Sequence, residues 1–409
     1  MSSLRVTTNF RDSNGVDLGD ELITKDYLMS VYPEIGQQIG IPPELWTWGY
    51  GNFGRLGNAT TTTNNSTPVT TFAGGTNWKQ VNAASTSSAA IKTDGTLWTW
   101  GYSASGKLGN AVITGNISTP VTTFSGGTNW KQVSCGTIHT AAIKTDGTLW
   151  AWGNPFLGRI GNAVVSNTSI STPVTTFAGG TNWKQVSAGG SHTAAIKTDG
   201  TLWTWGYSAN GRLGNAAIAG NISTPVTTFA GGTNWKQVSC GETHTVAIKT
   251  DGTLWVWGNG GFGQLGNGVT TGNISTPVTT FSGGTNWKQL SSGFSHTAAI
   301  KTDGTLWIWG QNIFGELGTN NSTNRSTPVT TFAGGTNWKQ VSSGNSNTVA
   351  IKTDGTLWTW GFGNNGQLGN ASLGRSTPVT TFAGGNNWKQ VKCGNSFVSA
   401  IRSVDFAGF

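Results

Sequence analysis

Charge is scarce in this chain: 10% of its 409 residues are Asp, Glu, Lys or Arg, against about a quarter in an ordinary globular protein. Low charge alone would suit a disordered or a membrane-spanning chain. Disorder is excluded by 21 Trp, each able to bury roughly 150–250 Å². A membrane-spanning helix is excluded because no apolar run approaches about 18 residues. Cysteine is nearly absent too. Cys135, Cys240 and Cys393 are an odd, widely spaced set, which excludes a disulfide framework and a zinc cluster. They share one place in a repeat where other copies carry Ala or Ser, so they read as small core residues. The first residues, MSSLRVTTNFRDSNG, contain no apolar core of a secretory signal, so none is expected.

What the chain has in abundance is repetition, which governs the architecture. The pentapeptide LWxWG starts at Leu45, Leu97, Leu149, Leu202, Leu254, Leu306 and Leu357. NWKQ follows in every unit, with its Trp at 78, 130, 183, 235, 287, 338 and 388. STPVTTF also recurs seven times. In AAIKTDGTLWTW, Asp-Gly between two β-prone runs predicts a hairpin, both residues taking positive φ. Pro in STPV places that strand at an edge or a strand start. Each unit thus supplies about four short strands without helical periodicity. The fold class is all-β: a seven-bladed β-propeller of four-stranded blades. The last unit, SFVSAIRSVDFAGF, has no LWxWG after it. Leu45–Gly49 is the unmatched partner, so this strand is expected to close the ring and leave no open edge. The expected domains are an arm, 1–44, and a propeller, 45–409.

The segment Val133–Ile143, VSCGTIHTAAI, resembles the signature of the regulator of chromosome condensation repeat family. The same pattern stands at Val186–Ile196, Val238–Ile248 and Leu290–Ile300. Three units depart from it, with Ser87, Asn347 and Phe397 in the His place. The resemblance covers residues 45–409 and implies a seven-bladed propeller. It does not imply one function. Founding members exchange nucleotide on a small GTPase and bind chromatin, and similar propellers inhibit β-lactamases through one face. The acidic loop signature of the family is replaced here by LGN. No acidic wedge or basic tail points to nucleotide exchange.

The chemistry-bearing residues are repetitive. His139, His192, His244 and His296 all occupy GxxHT. Zinc needs about four converging ligands, whereas equivalent positions of neighbouring blades are related by rotation. These histidines are expected to bond backbone at strand ends. Asp94, Asp146, Asp199, Asp251, Asp303 and Asp354 come one per blade, so no catalytic carboxylate pair follows. No catalytic residue, cofactor or metal site is expected, and the chain does not read as an enzyme. The divergent segment is the loop after LWxWG. Its aromatics, Tyr50, Phe53, Tyr102, Phe156, Tyr207, Phe262, Phe314 and Phe362, are expected to be exposed and are candidate recognition residues on a rigid scaffold, the equal alternative being free drift of loops that nothing constrains.

The net charge of +8 divides into −4 for residues 1–44 and +12 for the rest. Lysines are spread once or twice per repeat, so a solvated ring is expected rather than a nucleic-acid stripe. Within 1–44, TKDYLMSVYP predicts a short helix capped by Thr24 and stopped by Pro33. Its apolar Tyr27, Leu28, Val31 and Tyr32 form a candidate anchor. The arm also resembles attachment segments of phage structural proteins. The resulting expectation is a virion structural protein (tail fibre, baseplate or capsid decoration), assembled in the host cytoplasm. Its arm would meet other virion proteins in an oligomeric assembly, and its loops would meet a host glycan or protein. The alternative is a cellular interaction module or inhibitor that binds one partner through a propeller face.

Overall fold

The computed structural model describes residues 41–72, 75–216 and 220–404, so the candidate helix and anchor, Tyr27 to Tyr32, lie outside the described residues. The compact unit is Pro43–Arg402, and its strands form seven four-stranded antiparallel sheets. Blade one shows the pattern: β3 (Trp78–Ala83), β4 (Ser87–Lys92), β5 (Leu97–Tyr102) and β6 (Asn116–Thr122), hydrogen-bonded in that order. Blades two to six repeat it over 130–175, 183–227, 235–279, 287–330 and 338–380. First strands of successive blades touch one another, and the one at Trp388–Cys393 touches β3. First strands therefore surround the axis, and the Pro-containing fourth strands form the rim.

The seventh blade is shared between the two ends of the described chain. Trp388–Cys393 pairs with Phe397–Val404, which pairs with β1 (Ile41–Gly49), which in turn pairs with β2 (Asn65–Thr70). The closing strand is longer than the expected Leu45–Gly49, and two N-terminal strands enter the blade rather than one.

Packing occurs between blades. One face of blade one, Ala89, Ile91 and Leu97, meets Trp130, Val133, Ala142 and Trp152 of blade two. The closing interface sets Leu45 and Ile401 against Trp78, Val81, Ala90 and Trp100. Second strands are covered on both sides, which is why HTAAIK shows almost no alternation of burial. Six of the seven NWKQ Trp meet both paired LWxWG Trp rings edge to face, as Trp130 does Trp150 at 6.3 Å and Trp152 at 6.1 Å, and Trp78 meets Trp98. A cation covers the outer ring: Lys144 Nζ lies 4.4 Å from the Trp150 centroid.

The invariance of the frame has specific causes. The NWKQ Gln clasps the next blade: Gln80 Nε2 donates to Val133 O and its Oε1 accepts from Val133 N, both at 3.1 Å. The clasp also closes the ring, since Val81 N donates to Gln390 Oε1 at 2.8 Å. The Gly of LGN leaves room for the next blade's Trp. A Cβ on Gly57 would lie 2.8 Å from Trp100 Nε1, at a φ of +67°. Trp100 Nε1 in turn donates to Arg55 O at 2.9 Å.

The Asp-Gly hairpin differs from expectation in one respect. Gly95 has φ +81°, whereas no Asp of the six turns has positive φ, and Gly95 N donates to Lys92 O. This is a Thr-Asp turn followed by a left-handed Gly, the three-residue hairpin form. Asp94 Oδ1 accepts from Thr96 N and Oγ1, and Thr96 Oγ1 accepts from Trp98 Nε1. The carboxylate is therefore satisfied locally, and the Thr96 bonds hold it below the ordinary Asp range.

Trp100 has no solvent exposure. Trp100→Ala would remove an indole from an inter-blade core and one of the two bonds to Arg55 O, leaving that from Ser88 Oγ. A loss of about 3–5 kcal/mol is expected, read from the shift of the urea unfolding midpoint.

Candidate functional site

The loop after LWxWG starts at the end of the sheet opposite the Asp-Gly hairpins. Four of these loops contain a tight 3-10 turn, at Asn52–Gly54, Ala104–Gly106, Phe156–Gly158 and Ala209–Gly211. The middle residues, Phe53, Ser105, Leu157 and Asn210, are left-handed with φ of 64–68°. Such a conformation is disfavoured for bulky side chains, and here each turn leads into the following Gly-x-Leu-Gly, with Ile160 in the Leu place of one.

The candidate recognition aromatics fall into two groups. Phe156, Phe262 and Phe314 are exposed, at 45%, 42% and 44%. Tyr50, Phe53, Tyr102, Tyr207 and Phe362 are half-buried, contrary to the expected exposure. The reason is contact between neighbouring loops and with cations. Phe53 stacks on Tyr102, and Phe314 on Phe362, each at 4.9 Å between centroids. Arg55 lies 4.7 Å from the Tyr50 centroid and Arg212 4.8 Å from that of Tyr207.

The residue x of Gly-x-Leu-Gly changes its reach with its chemistry. Where it is cationic it extends toward the axis. Arg55 Nη1 donates to Ser85 O at 2.9 Å and Arg212 Nη1 to Glu242 O at 3.1 Å, while Lys107 Nζ bonds Thr86 Oγ1. Where it is Gln or Glu it turns back and caps its own loop: Phe262 N donates to Gln264 Oε1, Phe314 N to Glu316 Oε2 and Asn365 N to Gln367 Oε1. Four consecutive loops, with Arg55, Lys107, Arg159 and Arg212, therefore carry buried positive charge, and the next three carry none. Burial lowers these cations from their ordinary values, Arg55 to about 10 and Lys107 to about 8; the Arg55 charge adds to the effect on Lys107. Burial raises the Glu316 carboxyl.

Arg55, Lys107 and Arg212 thereby bond residues that line the mouth of the axial channel, a cavity of about 330 Å³ lined by Ser85, Thr137, Gly190, Glu242 and Phe294 among others. Glu242 of blade four crosses blade three to accept from Thr137 Oγ1 of blade two at 3.1 Å. Gly190 makes this possible, since a Cβ there would sit 2.3 Å from the Glu242 carboxyl carbon. Arg159 is 2% exposed, and its Nε and Nη1 have no partner. Phe294 stands 46% exposed beside Glu242's turn. Sequence reasoning missed Thr137, Glu242 and Phe294. Their signal is the pair of residues inside GxxH, which varies between uniform strands. It also missed the exposure of the STPVTTF Phe, 65–74% in all seven blades from Phe72 to Phe382.

The histidines form a relay between blades rather than bonding backbone. His139 Nε2 lies 2.8 Å from Thr193 Oγ1 of the next blade, and Thr193 Oγ1 donates to Arg159 O. The hydroxyl proton is thus committed, so His139 donates from Nε2 and is neutral, with Nδ1 unpartnered. His192, His244 and His296 repeat the arrangement with Thr245, Thr297 and Thr348. Among the described residues no three His, Cys, Asp or Glu gather as a metal site, and no helix is long and apolar enough to cross a membrane. Cys135, Cys240 and Cys393 are buried, and burial pushes each thiol up to about 12.

Known proteins share this architecture. The family model of the RCC1-like domain matches residues 44–401. The ultraviolet-B receptor UVR8 of Arabidopsis thaliana is 30% identical over 79% of this chain and 74% of its own. The human E3 ubiquitin-protein ligase HERC2 is 27% identical over 81% of this chain, which spans 7% of that protein. Among solved structures, human WBSCR16 superposes with a TM-score of 0.79 at 20% identity, covering 88% of this chain and all of that one. Prp20p of Saccharomyces cerevisiae, described with its binding to Gsp1p and histones, gives 0.77 at 18% identity, covering 90% and 92%. The chain belongs to the RCC1-like domain family.

Proposed function

We propose that the propeller is a protein-interaction module that docks one partner on its loop face. The observation that carries this reading is the contrast between the two ends of the ring. The hairpin end repeats almost unchanged, whereas the loop end breaks the symmetry in charge, in aromatics and in the GxxH turns. A rigid frame that varies only in its loops suits recognition. Exposed Phe262, Phe294 and Phe314 supply the aromatic anchors that dominate binding energy at interfaces. Relatives support the reading: Prp20p is described by its binding to two protein partners. The relatives named above are cellular plant, human and yeast proteins, which favours an interaction module over a virion component. The virion reading rests on an arm whose anchor residues lie outside the described residues.

The test is cross-linking mass spectrometry in the native cell to name the partner, then affinity measurement with variants. Phe262→Ser/Phe294→Ser/Phe314→Ser is expected to weaken binding at least about tenfold. Phe124→Ser/Phe177→Ser, on the rim, is expected to leave it unchanged. A partner lost only with the rim variant would overturn the loop-face assignment. Co-purification with phage particles at fixed stoichiometry would replace the whole reading.

A further inference from the structure

The second position of each NWKQ strand places a lysine at the hairpin end of the axial channel. The equivalent residues in all seven blades, Lys79 and Lys389 included, are exposed. Lys79, Lys339 and Lys389 line a cavity of about 560 Å³ with Gln340, Gln390 and Pro43. Among the described residues no hydrogen bond or ion pair engages any of the seven. The nearby acids are already committed. Each hairpin Asp binds the Thr two residues on, and the cation that acts on it is the Lys of its own second strand, as Lys92 does on Asp94. That second-strand Lys is itself seated over two Trp rings, Lys92 Nζ lying 4.9 Å from the Trp78 centroid and 4.6 Å from that of Trp98. Among the described residues the axial lysines thus carry charge at this end that no acid is bonded to.

Their placement concentrates the field. Packed sheets stand about 10 Å apart, and blades converge toward the axis, so neighbouring lysines lie within about one Debye length at 0.1 M salt. Seven like charges around one mouth repel one another, and a single multivalent anion on the axis relieves all of them. A monovalent anion gains little by comparison. The walls are rigid, because six of the seven Gln beside these lysines are clasped to the next blade, so the charges are held in place before a ligand arrives.

We propose that the hairpin-end mouth of the channel binds a compact anion bearing several phosphates. This site is distinct from the loop face, at the other end of the first strands, and does not depend on the protein-partner reading.

The experiment is isothermal titration calorimetry on the full chain with inositol hexakisphosphate, tripolyphosphate and orthophosphate. Either multivalent probe is expected to bind at least a hundredfold more tightly than orthophosphate, and the tighter of the two identifies a ring-borne or a linear phosphate array as the preferred form. Affinity is expected to fall roughly tenfold between about 50 and 200 mM salt. Lys79→Gln/Lys339→Gln/Lys389→Gln is expected to weaken binding at least tenfold. Lys144→Gln/Lys249→Gln/Lys301→Gln removes the same charge from the same end but not from the mouth, and is expected to weaken it less than threefold. Thermal melting verifies that both variants fold. Equal losses in the two variants, no preference over orthophosphate, or tighter binding of a single-stranded nucleic acid at equal phosphate concentration would overturn the proposal.

Discussion

Below pH 6.5 the propeller is expected to lose stability steeply, and the four inter-blade histidines are the cause. Each imidazole is buried, donates from Nε2 to a threonine and has a bare environment for Nδ1 in three of the four cases. Burial lowers His139, His244 and His296 to about 3, the His296 charge adding to the effect on His244, and His192 moves in the same direction. The sign follows from where protons bind. Between pH 6.5 and about 3 the unfolded chain protonates its histidines and the folded chain does not. Stability is complete above 6.5 and declines as pH falls, by up to about 1.4 kcal/mol per unit for each histidine. At pH 5 each histidine thus removes up to about 2 kcal/mol, against a usual net stability of about 5–15 kcal/mol.

Other groups act outside this window or oppose it. The hairpin aspartates are held low and lose their contribution only below the usual Asp range. Burial raises Glu316, which favours the fold as pH falls. The check is urea unfolding at pH 7, 6 and 5. His139→Asn/His244→Asn borrows the residue that blade six already carries at Asn347. It is expected to flatten the dependence by about 2.7 kcal/mol per unit. An unchanged slope would place the acid sensitivity elsewhere.

Much of the ring was legible because a repeat states its constraints seven times. LWxWG, NWKQ and TDG gave strand number, blade order and the need for closure. The reasons for the invariance were not legible, because they act across blades about fifty residues apart. Nothing local says that Gln80 clasps Val133 or that His139 reaches Thr193. The Asp-Gly turn was misjudged because the same dipeptide serves two hairpin types, and the extra residue decides between them. On the loop face, hydrophobic character suggested exposure, yet Phe53 and Tyr102 cover each other. Glu242 and Phe294 escaped notice because their turn lies beside the histidine that dominates the motif. A wide reach such as Glu242 to Thr137 depends on Gly190 in the blade between them, and only the assembled ring reveals it.

Ending the chain before Phe397 is expected to produce the largest loss. The missing strand lies between β1 and Trp388–Cys393 in the seventh blade. Without it β1 and β2 lose their partner, and the first strand of that blade is left as a lone edge. Val398, Ala400 and Ile401 vanish from the two interfaces that join blade seven to blades six and one. Three residues at full burial remove roughly 1.5–3 kcal/mol each for the larger side chains, and the backbone pairing goes with them. The Val81–Gln390 clasp would then be the chief remaining link across the gap. Two exposed strand edges invite pairing with other copies. The truncated chain is expected to elute as oligomers in size-exclusion chromatography and to lose its cooperative thermal transition. Supplying the segment 397–409 as a separate peptide is expected to restore the transition by filling the vacant strand position. A truncated protein that stays monomeric and melts like the full chain would show that six complete blades hold the ring without the shared one.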